Sequence, residues 1–155
     1  MGKYGYTSNM KPAEKLMVAI VRISELYKKS CSSIFLNYGL TFSQYTVLRV
    51  LQGSKNGQNT ISKVSKVMLV SGPNMTGVAK RLENNGFIIR KSDPNDERVK
   101  ILEITPRGRQ ALENIESEKD YLIKNYLNDF TDDNISELLT TLKKCLNQAK
   151  FQNET

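Results

Sequence analysis

The sequence predicts a mostly α-helical chain with one small β-hairpin. Apolar residues recur at spacings of three and four over most of the 155 residues, the pattern of amphipathic helices. The period changes only over residues 87–104, where two β-branched stretches flank a segment rich in turn formers. The 39% hydrophobic content suffices for a packed core. No run approaches the roughly 18 apolar residues that a membrane span requires.

The first predicted helix runs from about Lys11 to Leu36. Leu16, Ile20, Ile23 and Tyr27 form its apolar stripe, and Gly39 follows its end. Such a helix is about 38 Å long, which is long for a chain of this size, so we expect it to pack against a partner chain as well as its own core. The first ten residues are expected to form a loose leader without the apolar segment of a signal peptide.

Three shorter helices are predicted next, each by a capping residue and an apolar side. The second begins at Thr41 or Ser43 and ends at Gly53, and a polar turn over residues 54–59 follows. Thr60 is expected to cap the third. Ser71 is expected to cap the fourth through its hydroxyl, with Pro73 in the first turn. The residues expected to face inward are Tyr45, Val47, Leu48 and Leu51 in the second helix, and Ile61, Val64, Val67 and Met68 in the third.

Two further helices are predicted at the end of the chain. Thr105 and Pro106 begin the first, whose partial stripe reaches about Phe130 and is interrupted by the charged segment 117–120. Thr131 caps the last helix, with acidic residues in its first turn. A short seam resembling a coiled coil lies along this helix and consists of Ile135, Leu138, Leu142, Cys145 and Ala149.

The fourth helix, over about residues 72–85, has two unlike faces. Met75, Val78, Ala79 and Leu82 fall on one side at helical spacing. The opposite side carries small and polar residues near its start and basic residues further on. That surface suits a helix that enters a nucleic-acid groove, and it equally suits the solvated face of an ordinary core helix.

The tip of the hairpin favours the first interpretation. Asp96 and Arg98 are two residues apart, so in extended backbone they point the same way. Asp96 is expected to hold the Arg98 guanidinium for entry into a narrow minor groove; the alternative is a surface ion pair worth about 0–1 kcal/mol. Two short helices joined by a tight turn and followed by this hairpin predict a winged helix-turn-helix.

Composition narrows the classes of function. The chain has no histidine, which removes the commonest general base and metal ligand, and we expect no catalytic residues, no metal site and no cofactor. Its net charge of +7 is concentrated in the first 100 residues, which favours a polyanionic partner. Cys31 and Cys145 form no zinc or CxxC spacing, and reduced thiols in the cytoplasm are expected.

The segments 71–88 (SGPNMTGVAKRLENNGFI) and 93–108 (DPNDERVKILEITPRG) resemble the MarR family of bacterial regulators. The likeness is close over about residues 40–110, and the D-x-R and L-x-I-T-P-x-G motifs are specific. The resemblance implies a homodimer that binds pseudo-palindromic double-stranded DNA, joins its subunits through the terminal helices, and responds to a small aromatic effector. It implies an N-terminal dimerisation helix over residues 1–38, a DNA-binding domain over 39–106 and C-terminal dimerisation helices over 107–155.

The DNA-contacting residues predicted from the helix, the hairpin and this resemblance are Ser71, Gly72, Pro73, Asn74, Thr76, Gly77, Lys80, Arg81, Asp96 and Arg98. The predicted effector-binding residues are Tyr27, Tyr38 and Tyr45; the alternative is that these tyrosines belong to the core. Two other functions stay open at this point. Cys31, beside Lys28 and Lys29, would serve a redox-sensing regulator if its pKa were lowered, with a buried structural thiol as the alternative. A winged helix also occurs in protein-interaction modules without DNA specificity.

Overall fold

The computed structural model describes residues 9–153, and the predicted N-terminal leader lies mostly outside them. Two compact units divide the chain, Met1–Asp120 and Tyr121–Thr155. In chain order the elements are α1 (Pro12–Leu36), α2 (Phe42–Gln52), a short 3₁₀ turn (Lys55–Gly57), β1 (Gln58–Thr60), α3 (Ile61–Met68), α4 (Gly72–Asn84), β2 (Ile88–Ser92), β3 (Lys100–Ile104), α5 (Pro106–Tyr126) and α6 (Asp132–Asn153). The predicted class, mostly helical with a small β wing, is confirmed.

Capping side chains set most of the helix starts that were predicted. The Thr41 hydroxyl accepts a hydrogen bond from the backbone N–H of Gln44, and the Gln44 side-chain oxygen accepts one from the Thr41 N–H. This reciprocal pair is a capping box. Thr60 caps α3 through the N–H of Lys63. Thr105 caps α5 through the N–H of Gly108, and its hydroxyl donates to the Gly86 carbonyl, which ties α5 to the end of α4.

A three-stranded antiparallel sheet in the order β1-β3-β2 supports the wing. The hairpin pairs Ile88 with Ile104 and Ser92 with Lys100. The sequence-based prediction of a polar turn over residues 54–59 was wrong for its last part, because Gln58 and Asn59 pair with β3. Gln58 also donates a side-chain hydrogen bond to Glu103 at 2.8 Å. Three residues are too few to show a strand period in the sequence.

The core of the first unit joins α1, α2, α4, α5 and the sheet. Its fully buried side chains include Phe35, Leu48, Leu82, Leu102 and Ile115. The inner face of α4 is as predicted, since Met75, Val78, Ala79 and Leu82 are all buried. Burial of these apolar side chains fixes the rotation of α4, so its opposite face is turned outward.

Two local expectations were wrong. Val67, predicted to face inward, is 64% exposed, and the buried residues of α3 are Val64 and Ser65. Ser71 occupies the N-cap position of α4, but its side chain makes no capping hydrogen bond. The apolar stripe of α5 is interrupted within the charged segment 117–120 as predicted, because buried Lys119, paired with Glu116 at 2.9 Å, follows Ile115 on the buried side of the helix.

The second unit contains the end of α5 and α6. Thr131 and Asn134 exchange hydrogen bonds at the start of α6, which confirms the predicted cap. Cys145, on the predicted apolar seam of this helix, is exposed in the single chain. The leucines of α6, namely Leu138, Leu139, Leu142 and Leu146, are between 36% and 50% exposed. Within residues 9–153, no helix combines the length and apolarity needed to cross a bilayer.

Candidate nucleic-acid interface

The outward face of α4 carries the residues predicted to contact DNA. Pro73, Asn74, Thr76, Lys80 and Arg81 are exposed and Gly77 is partly exposed. A Cβ atom built on Gly77 would meet only the Arg81 side chain, at 3.9 Å, and one on Gly72 would meet nothing within 4 Å. The first turns of α4 therefore present an open surface with few projecting side chains around Gly72 and Gly77. The Thr76 hydroxyl donates to the Gly72 carbonyl at 3.0 Å, which leaves its lone pairs available to accept.

The wing is fixed to α4 by an ion pair. Arg90 of β2 donates from Nε to Glu83 of α4 at 2.6 Å, and its backbone N–H also reaches that carboxylate. The hydrogen bonds from Arg90 lower the pKa of Glu83 below its ordinary value. Because this contact joins the helix to the hairpin, it holds the wing in position relative to the outward face of α4.

At the tip of the wing, Asp96 acts on the backbone of Arg98 and not on its guanidinium. The Asp96 carboxylate accepts from the Arg98 N–H at 3.0 Å, and the Asp96 carbonyl accepts from Val99 at 2.9 Å. Among the ion pairs of residues 9–149, none joins the Asp96 and Arg98 side chains. Asp96 therefore shapes the turn, and the Arg98 side chain is left exposed.

Arg98 and the start of α4 line one cleft. This cleft has a volume of about 660 Å³ and is lined by Thr60, Ile61, Ser62, Ser65, Lys66, Val70, Gly72, Thr76, Arg98, Val99 and Lys100. The structure thus brings predicted residues of the wing and of α4 together. Sequence reasoning did not identify Ser65 or Lys100 as part of this surface. The only available signal was the basic, polar side of α3.

The three tyrosines of the predicted effector site lie around the buried part of α5. Tyr45 stacks on Phe35 with ring centroids 3.9 Å apart, and burial raises its pKa while Lys119 opposes that rise. Tyr38 donates a hydrogen bond to Glu118. Tyr27 is half-buried and hydrogen-bonded to Cys31, and burial raises the pKa of the Tyr27 hydroxyl. The polar groups of all three tyrosines already have partners in this chain.

Cys31 is fully buried. Burial raises the pKa of its thiol, and the hydrogen bond from Tyr27 and the charge of Lys119 only partly oppose this rise. The expectation that Lys28 and Lys29 would lower this pKa was wrong, because α1 directs Cys31 into the core. The structural thiol is the interpretation that this geometry favours. The described residues contain no cluster of His, Cys, Asp or Glu suited to a metal ion.

A helix-turn-helix whose second helix exposes a small, basic face, followed by a charged wing, defines a winged helix-turn-helix fold. The chain belongs to the SarA/Rot family of transcriptional regulators, whose family model matches residues 29–115. These proteins are regulators and not enzymes.

Individual relatives agree with this assignment. The HTH-type transcriptional regulator YkoM of Bacillus subtilis is 31% identical over 108 residues, which cover 69% of this chain and 68% of YkoM. A mutant Escherichia coli MarR complexed with operator DNA has the same fold, with a TM-score of 0.79 and 21% identity over 90% of this chain and 99% of that one. CouR from Rhodococcus jostii, bound to p-coumaroyl-CoA, has a TM-score of 0.76 and 20% identity over 88% and 95% of the two chains.

Proposed function

We propose that this regulator binds double-stranded DNA in a sequence-specific manner, with α4 in the major groove and Arg98 in the adjacent minor groove. The observation that carries the proposal is that the exposed face of α4 and the exposed Arg98 side chain border one cleft. In proteins of this architecture the second helix presents its N-terminal residues to base edges. The similar fold of a MarR protein solved with operator DNA supports this mode of binding.

The residue types on α4 suit two kinds of DNA contact. Asn74 and Thr76 carry short polar side chains that hydrogen-bond base edges or phosphates, and Arg81 pairs with guanine or phosphate. Gly77 adds no side chain, so the helix backbone approaches the groove closely. Ser71, Gly72, Pro73 and Lys80 complete the proposed contact surface, and Asp96 supports it by shaping the wing turn.

We infer that the chain acts as a homodimer. Leu16, Met17, Ile23 and Leu26 of α1 are 50% to 59% exposed, and the leucines of α6 are also exposed. A stripe of this kind on a long helix is expected to be covered by another apolar surface. A twofold pair of α4 helices would then read two half-sites about one DNA turn, or 34–36 Å, apart.

Regulation by an effector is the last part of the proposal. We infer that the chain is a repressor and that a small aromatic molecule near Tyr27, Tyr38 and Tyr45 releases it from DNA. The neighbour CouR, solved with p-coumaroyl-CoA, supports an aromatic class of ligand. Because coupling is reciprocal, an effector that weakens DNA binding must itself bind less tightly to the DNA complex. Aromatic acids that change neither operator affinity nor melting temperature would exclude this class.

The DNA-binding mode is tested in two steps. Selection of bound fragments from the source genome by the full chain is expected to enrich one pseudo-palindromic sequence, and no enrichment would favour a protein-interaction module. The affinity of the Arg98→Ala variant for the selected duplex is then measured across salt concentrations. We expect weaker binding and a salt slope reduced by about one unit, whereas Lys124→Ala on α5 should leave both unchanged. Unchanged binding by Arg98→Ala would exclude the minor-groove role.

A further inference from the structure

The cleft between α3, the start of α4 and the wing contains a buried polar group that has no hydrogen-bond partner in the described part of the chain. Ser65 is 8% exposed, and its hydroxyl has no hydrogen-bond partner among the described residues. A buried hydroxyl without a partner costs free energy relative to one in water. Ser65 lines the cleft, so a ligand in that space would supply the missing acceptor.

The start of α4 adds a backbone donor, the Gly72 N–H, to the same cleft. The first N–H groups of any α-helix lack intrahelical partners, and here Ser71 does not cap them. Gly72 lines the cleft and has open space beside it. Pro73, the next residue, has no N–H, so the Gly72 N–H and the positive end of the helix dipole are what favour an anion at this position.

The charged residues of the cleft are all basic. Lys66, Arg98 and Lys100 line it, and none of the lining residues is acidic. Lys100 is held in place by hydrogen bonds from Nζ to the Ser92 hydroxyl at 2.7 Å and the Glu97 carbonyl at 2.9 Å. Both hydrogen-bond partners are neutral, so they position the ammonium without forming an ion pair with it.

We propose that this cleft binds a phosphate group, which accepts hydrogen bonds from Ser65 and from the start of α4 and is neutralised by the basic residues. Ile61, Val70 and Val99 provide an apolar side, so a phosphate monoester with a small organic body fits as well as a DNA phosphodiester. A free monoester in the cleft would exclude the DNA strand directly. The part of this inference that involves DNA rests on the proposed function, and the part that involves a free ligand does not.

The free-ligand experiment uses phenyl phosphate as the probe. It is titrated into the full chain at constant ionic strength, and backbone amide shifts are followed at Ser65 and Gly72. We expect saturable shifts, with a Kd at least about fivefold weaker in Ser65→Ala. Ser117→Ala, which removes an exposed helical serine from α5, is the matched control and should behave as wild type. The melting temperature of Ser65→Ala should be unchanged or higher, since the substitution deletes an unsatisfied buried hydroxyl.

The second measurement compares the affinities of the same variants for specific and unrelated duplexes. If the DNA backbone supplies the phosphate, Ser65→Ala lowers the affinities for the specific and the unrelated duplex by a similar factor. In that case phenyl phosphate shows no saturable binding to the wild-type protein. If phenyl phosphate binds saturably, competes with DNA and binds more weakly to Ser65→Ala, the ligand of the cleft is a free phosphate monoester. If Ser65→Ala changes neither phenyl phosphate binding nor DNA binding, the proposal is overturned. The titration requires no DNA, so a failure of the proposed DNA-binding function is distinguished from a failure of this site.

Discussion

Replacing Gly77 with alanine should stabilise the protein and weaken DNA binding at the same time. Gly77 lies inside α4, where glycine costs about 0.5–1 kcal/mol relative to alanine. The added Cβ would meet only the Arg81 side chain, at 3.9 Å, so no steric cost opposes this gain. We expect the melting temperature to rise by about 1–4 °C. In the DNA complex the same methyl group would lie where the α4 backbone comes closest to the groove, and it would displace a base contact. Loss of one base contact costs about 1–3 kcal/mol, or roughly 5- to 150-fold in affinity.

Thermal unfolding and DNA titration of the Gly77→Ala variant test both parts of this prediction. Gly108→Ala is the matched control, because its Cβ would overlap the Phe87 carbonyl oxygen and lie 2.8 Å from an Ile104 side-chain carbon. There the crowding should destabilise the fold by about 1–3 kcal/mol despite the helical position. A Gly77→Ala variant that is more stable yet binds DNA as wild type would refute the placement of this face in the groove.

Three further predictions follow from the structure. In a Cys145→Ser background, Cys31 should react slowly with a thiol reagent at pH 7 until the protein is denatured, because burial raises its pKa; rapid native labelling would support the redox alternative. Leu82→Ala should cost about 2–5 kcal/mol in urea unfolding, since Leu82 is fully buried, and a cost below 1 kcal/mol would contradict the described packing of α4. The hydrogen bonds from Arg90 lower the pKa of Glu83, so their contribution to stability is present above the ordinary value of 4.5 and is lost as the pH falls through the lower folded value. Glu83→Gln should therefore reduce the fall in the free energy of unfolding at acid pH. An unchanged pH dependence would contradict the coupling between Glu83 and Arg90.

The prediction from sequence was most accurate where local chemistry decides the structure. Capping threonines at 41, 60, 105 and 131 place helix starts through hydrogen bonds to neighbours three residues away. The buried side of α4 was correct because its apolar residues follow the helical period. Both kinds of signal lie within a few residues of the chain.

The sequence-based predictions were wrong where contacts with residues distant in the sequence decide the local structure. Gln58 and Asn59 form a strand only because β3 presents a free edge more than 40 residues later. Lys119 lies in the core because Tyr45 of α2 packs beside it, while Glu116 pairs with its charge. Cys31 is directed inward by the rotation of α1, whatever its charged sequence neighbours.

The candidate interface shows the same division. The sequence by itself determined that α4 has one apolar and one basic face, and that a charged hairpin carrying Arg98 follows it. Only the tertiary structure decided that Asp96 supports the wing backbone and that Arg98, Ser65 and the open start of α4 line one cleft. The physical reason is that a helix face depends on spacing within one segment, whereas a cleft depends on how separate segments pack around a shared core.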